Sequence, residues 1–217
     1  MLAIAGGKGG CGKTTTTYQL GRALAADGRS PLLVDADVEM PDLHRVVDVS
    51  REPGLAAVAD GQRPASVAHT STDHPDLAVL PATGADAADL AAAAPRLRDW
   101  DGPILLDCPA GAMTDAVGPL RVADRTLLVS TPRRRSLRDA VKTAAMAREL
   151  DAPPLLAVLV ETSPADDAAT VPAESARAAM NCPVAARITY ASSGDRPTKT
   201  VRTGYRRVAR KVQQRNI

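Results

Sequence analysis

Residues 7–14 read Gly7-Lys8-Gly9-Gly10-Cys11-Gly12-Lys13-Thr14, between an apolar run at 2–5 and a helical pattern that begins at 13. The run fits G-x-x-x-x-G-K-[ST], and a strand before it and a helix after it are the setting the pattern requires. Glycines let the backbone curl until successive N–H groups point inward, and such a hollow takes phosphate oxygens. The helix start adds the positive end of its dipole. Lys13 is placed to reach the β- and γ-phosphates of a nucleotide, and Thr14 to ligate Mg²⁺. A dinucleotide-binding hydride-transfer enzyme is disfavoured, because its glycine spacing differs and leaves Lys13 and Thr14 without a task.

The residues that follow break a local rule. Positions 14–17 are all threonine at a helix start, where β-branched residues are poor helix formers. Leu20, Ala23 and Leu24 then supply the buried stripe. A rule broken beside a glycine loop points to hydroxyls with other duties.

Short apolar runs at 2–5, 32–35, 77–80, 104–107, 126–130, 155–160 and 184–188 alternate with helical patterns. The helical patterns are 13–27, 54–60, 85–94, 136–150, 172–180 and 203–214, with Pro95 expected to end or kink the third. Continuous apolar runs mark strands buried on both faces. The alternation predicts an α/β fold: a doubly wound, mostly parallel sheet flanked by helices, in a single domain over 1–217. A loop is expected at 192–197 before the last helix.

Composition narrows the function classes. With no Phe, and only Trp100, Tyr18, Tyr190 and Tyr205 as aromatics, a base-stacking platform is excluded. No apolar run approaches a membrane span of ~20 residues, and no leader peptide is visible. Cys11, Cys108 and Cys182 are odd in number and widely spaced, which fits reduced thiols in a cytoplasm. His44, His69 and His74 lack metal-ligand spacing and are expected at the surface. Residues 187–217 hold nine Lys/Arg against one Asp, a net +8, which leaves −6 for the first 186 residues. An acidic body with a basic tail points to an anionic partner for the tail.

Three aspartates stand at predicted strand ends, where open α/β sheets bind ligands: Asp35 and Asp37 after the second strand, Asp107 after the fourth. Phosphoryl transfer to water needs a group that orients the water and metal-held charge on the leaving phosphates.

Lys8 adds a second lysine early in the loop. With it, Lys8-Gly9-Gly10-Cys11-Gly12-Lys13-Thr14-Thr15 resembles the deviant Walker A P-loop ATPases of the ParA/MinD family. Asp107-Cys108-Pro109-Ala110-Gly111 is similar to the family's second switch, and Ser136-Leu137-Arg138-Asp139-Ala140 to a family helix start. The resemblance implies a P-loop NTPase fold and a Mg²⁺-dependent ATPase that forms a homodimer around ATP. It implies that Lys8 reaches the partner subunit's nucleotide and that Asp37 positions the attacking water. By the same resemblance Asp107 holds Mg²⁺ through water, Asp35 lies near the metal's outer shell, and Gly111 lets its loop swing with the γ-phosphate. The implied role is a switch in spatial organisation, either DNA partitioning or division-site placement, run by an unidentified activator.

The chain departs from the family on the base-reading side. Glu161 and Thr162 stand where the family often has Asn and a basic residue, and Thr189-Tyr190-Ala191 replaces a proline-acid segment. This motivates a second reading, a non-hydrolysing nucleotide-binding scaffold or regulatory protein. A metallocluster carrier of the same superfamily would need a C-x-x-C pair, which is absent. Arg133, Arg134 and Arg135 follow Pro132 where an acid is frequent; they would meet nucleic-acid or membrane phosphates, or form a solvated charge run. The basic C-terminal helix at about 203–215 carries Tyr205, Val208, Ala209 and Val212 on one face. That stripe is narrow for membrane insertion, which leaves packing on the domain, with the arginines facing DNA or no partner at all. The location expected is cytoplasmic, peripheral to nucleoid or membrane.

Overall fold

A computed structural model of the chain describes residues 1–7, 9–71, 74–111, 114–163, 170–189 and 198–215. Among them, eight strands make one sheet: β1 (Leu2–Ala5), β2 (Leu32–Asp35), β3 (His69–Ser71), β4 (His74–Leu80), β5 (Ile104–Asp107), β6 (Arg125–Ser130), β7 (Pro154–Val160) and β8 (Val184–Ile188). Their spatial order is β3-β4-β2-β5-β1-β6-β7-β8, with every pairing parallel except β3 on β4. The helices are α1 (Lys13–Ala26), α2 (Leu43–Val47), α3 (Leu55–Ala59), α4 (Pro64–Val67), α5 (Ala87–Leu97), α6 (Val117–Val122), α7 (Arg134–Glu149), α8 (Ala173–Met180) and α9 (Lys199–Gln213).

The sheet is doubly wound. Strand side chains alternate between faces. Leu2, Ile4, Leu33 and Leu105 join Leu20 and Leu24 of α1 and Tyr205, Val208 and Val212 of α9 in one core layer. Ala3, Ala5, Leu32, Val34 and Leu106 face the other way, onto Leu55, Leu90, Leu97 and Leu120. Burial on both faces is why β1, β2 and β5 read as unbroken apolar runs, and all their residues are buried. With β5 between β1 and β2, the carboxyl ends of these three strands lie side by side, the usual ligand edge of an open parallel sheet.

The structure corrects several expectations. β3 and the short helices α2, α4 and α6 were not expected. Helix α5 runs through Pro95 to Leu97 instead of ending at 94, with Leu97 buried in the core. Helix α9 starts at Lys199, a turn before 203, because the Thr198 hydroxyl accepts from the Val201 N–H and caps it. His44 is buried, not exposed. The loop expected at 192–197 lies outside the described residues. Among those described, no helix is long and apolar enough to cross a membrane.

Candidate functional site

The glycine loop leaves β1 and turns into α1. Gly10 and Gly12 take φ of 72° and 92°, left-handed values that side chains resist, so the turn belongs to glycine. Gly7 needs glycine for space: a Cβ there would lie 2.1 Å from the main chain of Asp139 in α7. Gly9 is exposed, and Cys11 points the other way, its buried thiol donating to the Val129 carbonyl at 3.6 Å. Helix α1 begins with no side-chain cap and no acidic residue in its first turn. Its first N–H groups have no intrahelical acceptor and carry the positive end of the dipole. Lys8 lies outside the described residues.

Below the loop the threonine run finds its duties. The Thr17 hydroxyl lies 2.9 Å from Asp107 Oδ1 and 3.1 Å from the Lys13 carbonyl, its single proton shared between them. Thr16 shares a 3.0 Å hydrogen bond with the Tyr205 hydroxyl, and Thr14 donates to Asp42 at 3.2 Å. Thr15 faces outward.

Asp35 and Asp107 stand opposite each other in register at the ends of β2 and β5, both fully buried, and the Ala36 N–H donates to the Asp107 carbonyl at 2.9 Å. Burial pushes Asp35 up to about 8, and the neighbouring Asp107 charge adds to it, against N–H donors from Leu43 and Asp37. Burial likewise pushes Asp107 up to about 7, against hydroxyl donors Thr14 and Thr17 and the Lys13 ammonium. Lys13 itself is buried. Asp35 spans the segment between β2 and α2: its two oxygens accept from the N–H groups of Asp37 at 3.2 Å and Leu43 at 3.1 Å. Asp37 is half-buried beyond it and accepts from the Met40 N–H at 3.1 Å.

Two buried carboxylates are a poor arrangement without a cation, whose charge would offset their desolvation. The hydroxyl of Thr14 and the carboxylates of Asp107 and Asp35 are hard oxygen donors of the kind Mg²⁺ takes, and the uncapped glycine-led helix start suits phosphate. The residues therefore fit a Mg²⁺–nucleotide. Asp42 had no assigned task in the sequence. It is the N-cap of α2, yet its side chain does not cap that helix and accepts from Thr14. Asp35, from β2, accepts from the N–H of Leu43, the first residue of α2. No periodicity announces these contacts.

Four residues beyond β5, Gly111 has φ of 92° and donates to the Gly6 carbonyl at 3.3 Å, which ties that segment to the glycine loop. Glu161, at the end of β7, is buried and paired with Arg187 of β8 at 2.6 Å. Arg133, Arg134 and Arg135 are exposed at the start of α7, away from the buried carboxylates.

A family model for the CobQ/CobB/MinD/ParA nucleotide binding domain matches residues 2–196. The chain belongs to this family. Septum site-determining protein MinD of Synechocystis is 30% identical over 149 residues, 64% of this chain and 56% of that protein. The chain spans between about half and two thirds of the curated relatives it matches. The cell-division ATPase MinD of Pyrococcus furiosus superposes with a TM-score of 0.83 at 25% identity, covering 98% of each chain. MinD of Pyrococcus horikoshii, solved with Mg-ADP, shares the fold at 24% identity, with a TM-score of 0.85 and coverage of 98% of this chain and 95% of that one. The eight-stranded sheet is thus the P-loop sheet of the MinD-type ATPases.

Proposed function

We propose that the protein is a cytoplasmic Mg²⁺-dependent ATPase of the MinD/ParA type, a single domain that dimerises around ATP and hydrolyses it slowly, stimulated by a partner. The observation that carries this reading is the pairing of Asp35 and Asp107 beneath an uncapped helix start that bears Lys13 and Thr14. Lys13 and the N–H groups of residues 9–15 bind the phosphates. Thr14 and Asp107 hold Mg²⁺, Asp107 through water, with Asp35 behind them. Mg²⁺ supplies charge neutralisation on the phosphoryl oxygens. Asp37 orients the attacking water, which its half-buried place beyond Asp35 allows. Lys8 completes the partner subunit's site.

The biological role in this reading is spatial organisation, DNA partitioning or division-site placement. The stripe of Tyr205, Val208, Ala209 and Val212 is buried against the sheet, so insertion of that face into a membrane is closed. Contact with nucleoid or membrane then rests on charge: Arg133, Arg134, Arg135 and the outer arginines of α9. A second reading, a non-hydrolysing scaffold, draws on the Glu161–Arg187 pair, which fills the place where the family often reads adenine.

The test is ATP turnover of the wild type and Asp37→Ala, with and without DNA and anionic vesicles. Turnover that Asp37→Ala abolishes supports the ATPase. Nucleotide binding with no turnover under any condition selects the scaffold, and unchanged turnover in Asp37→Ala removes the role of Asp37.

A further inference from the structure

A cleft of about 330 Å³ lies between α1, α9 and the start of β4, outside the nucleotide site. Gln19 and Arg22 of α1, Arg202, Tyr205 and Arg206 of α9, and His74 of β4 line it. Its size is at the lower end of small-ligand sites.

The cleft has an unbalanced charge. Three guanidinium groups face it with one lining carboxylate, Asp76, and among the described residues none of the three arginines is ion-paired. Arg22 is half-buried and makes a single 3.3 Å hydrogen bond, to the neutral Gln19 carbonyl oxygen. Its Nε is buried without a partner, and its guanidinium lies 5.4 Å from the centre of the Tyr18 ring. Tyr18 in turn meets His74 edge-on at 6.3 Å. A buried donor without an acceptor costs ~1–3 kcal/mol, more for a charged group. The other N–H groups of Arg22, with those of Arg202 and Arg206, suit an acceptor-rich anion, and planar guanidinium groups match phosphate oxygens in pairs.

We propose that this cleft is a second anion site, taking the phosphate group of a small soluble molecule on Arg22, Arg202 and Arg206. A concave cleft of this size suits a small molecule rather than an extended polymer. The proposal stands independently of the nucleotide reading.

The probe is pyrophosphate, titrated calorimetrically at constant ionic strength into the Lys13→Ala variant, which removes the ammonium of the competing loop. Saturable binding is expected, weakened about tenfold or more in Arg202→Gln/Arg206→Gln. Both positions are exposed, so this variant keeps its fold; Arg22→Gln is a further variant with the same expectation. Absence of binding in Lys13→Ala, an isotherm unchanged by the arginine variants, or binding of a DNA duplex but not of pyrophosphate would each overturn the proposal. ATP binding by Arg202→Gln/Arg206→Gln in an otherwise wild-type chain tests the nucleotide site separately.

Discussion

The hydroxyls of Thr16 and Tyr205 meet at 3.0 Å across 189 positions of sequence and join the phosphate-loop helix to the C-terminal helix inside the core. Tyr205 is among the largest fully buried side chains, and burial pushes its hydroxyl up to about 12, so it stays a neutral hydrogen-bonding group at any working pH. Tyr205→Phe leaves the Thr16 hydroxyl with no partner on α9. A loss of about 1 kcal/mol is expected in urea denaturation. Tyr205→Ala also opens a cavity and should cost about 3–5 kcal/mol.

Two glycines test how closely the loop is packed. Gly7→Ala drives a Cβ into the rigid main chain of Asp139 at 2.1 Å, whereas at Gly204 the Cβ would meet the flexible end of Ile188 at 2.5 Å. Gly7→Ala should cost about 1–3 kcal/mol or more and should weaken nucleotide binding. Gly204→Ala gains about 1 kcal/mol of helix propensity, which offsets the crowding, so its net change should stay within about 1 kcal/mol. Paired denaturation curves decide the contrast.

The buried carboxylates set a pH dependence for the metal-free protein. Asp107 is pushed from 3.8 up to about 7 in the fold, so the folded state holds a proton that the unfolded chain has released. Stability from this group is therefore full below pH 4 and falls as pH rises toward 7. Asp107→Asn removes this group's share of the decline, while Asp35, pushed up to about 8, keeps its own. In EDTA the variant should match the wild type near pH 4 and exceed it by up to about 4 kcal/mol at pH 8. The same substitution should weaken Mg²⁺-nucleotide binding, so the gain in stability and the loss of ligand come together.

Helix α5 carries Pro95 at an exposed position in its last turn. Proline there withholds an N–H from the ladder and crowds the preceding turn. Pro95→Ala is expected to stabilise the protein by about 1 kcal/mol, net of the extra freedom it gives the unfolded chain, as read from the denaturation midpoint.

The parallel sheet was legible because double burial writes itself as apolar runs: the bounds of β1, β2, β5 and β8 are those the sequence predicts. The loop was legible because its chemistry demands glycine. What escaped has no period to read. β3 is His69-Thr70-Ser71, three residues of mixed polarity held by antiparallel pairing to β4. Helix α2 is five residues long, and the contacts of Asp35 and Asp42 beside it are ones only tertiary structure decides. The buried His44 belongs to the same short helix. The mixed sequence before 203 hides the first turn of α9, which the Thr198 hydroxyl caps.

If two copies enclose nucleotide, each lending Lys8 to the other, sedimentation velocity of Asp37→Ala in Mg-ATP should show it. A dimer that reverts to monomer in Mg-ADP is expected, and a monomer in both when Lys8→Ala is added. A dimer that persists with Lys8→Ala, or a monomer in saturating Mg-ATP, would contradict it.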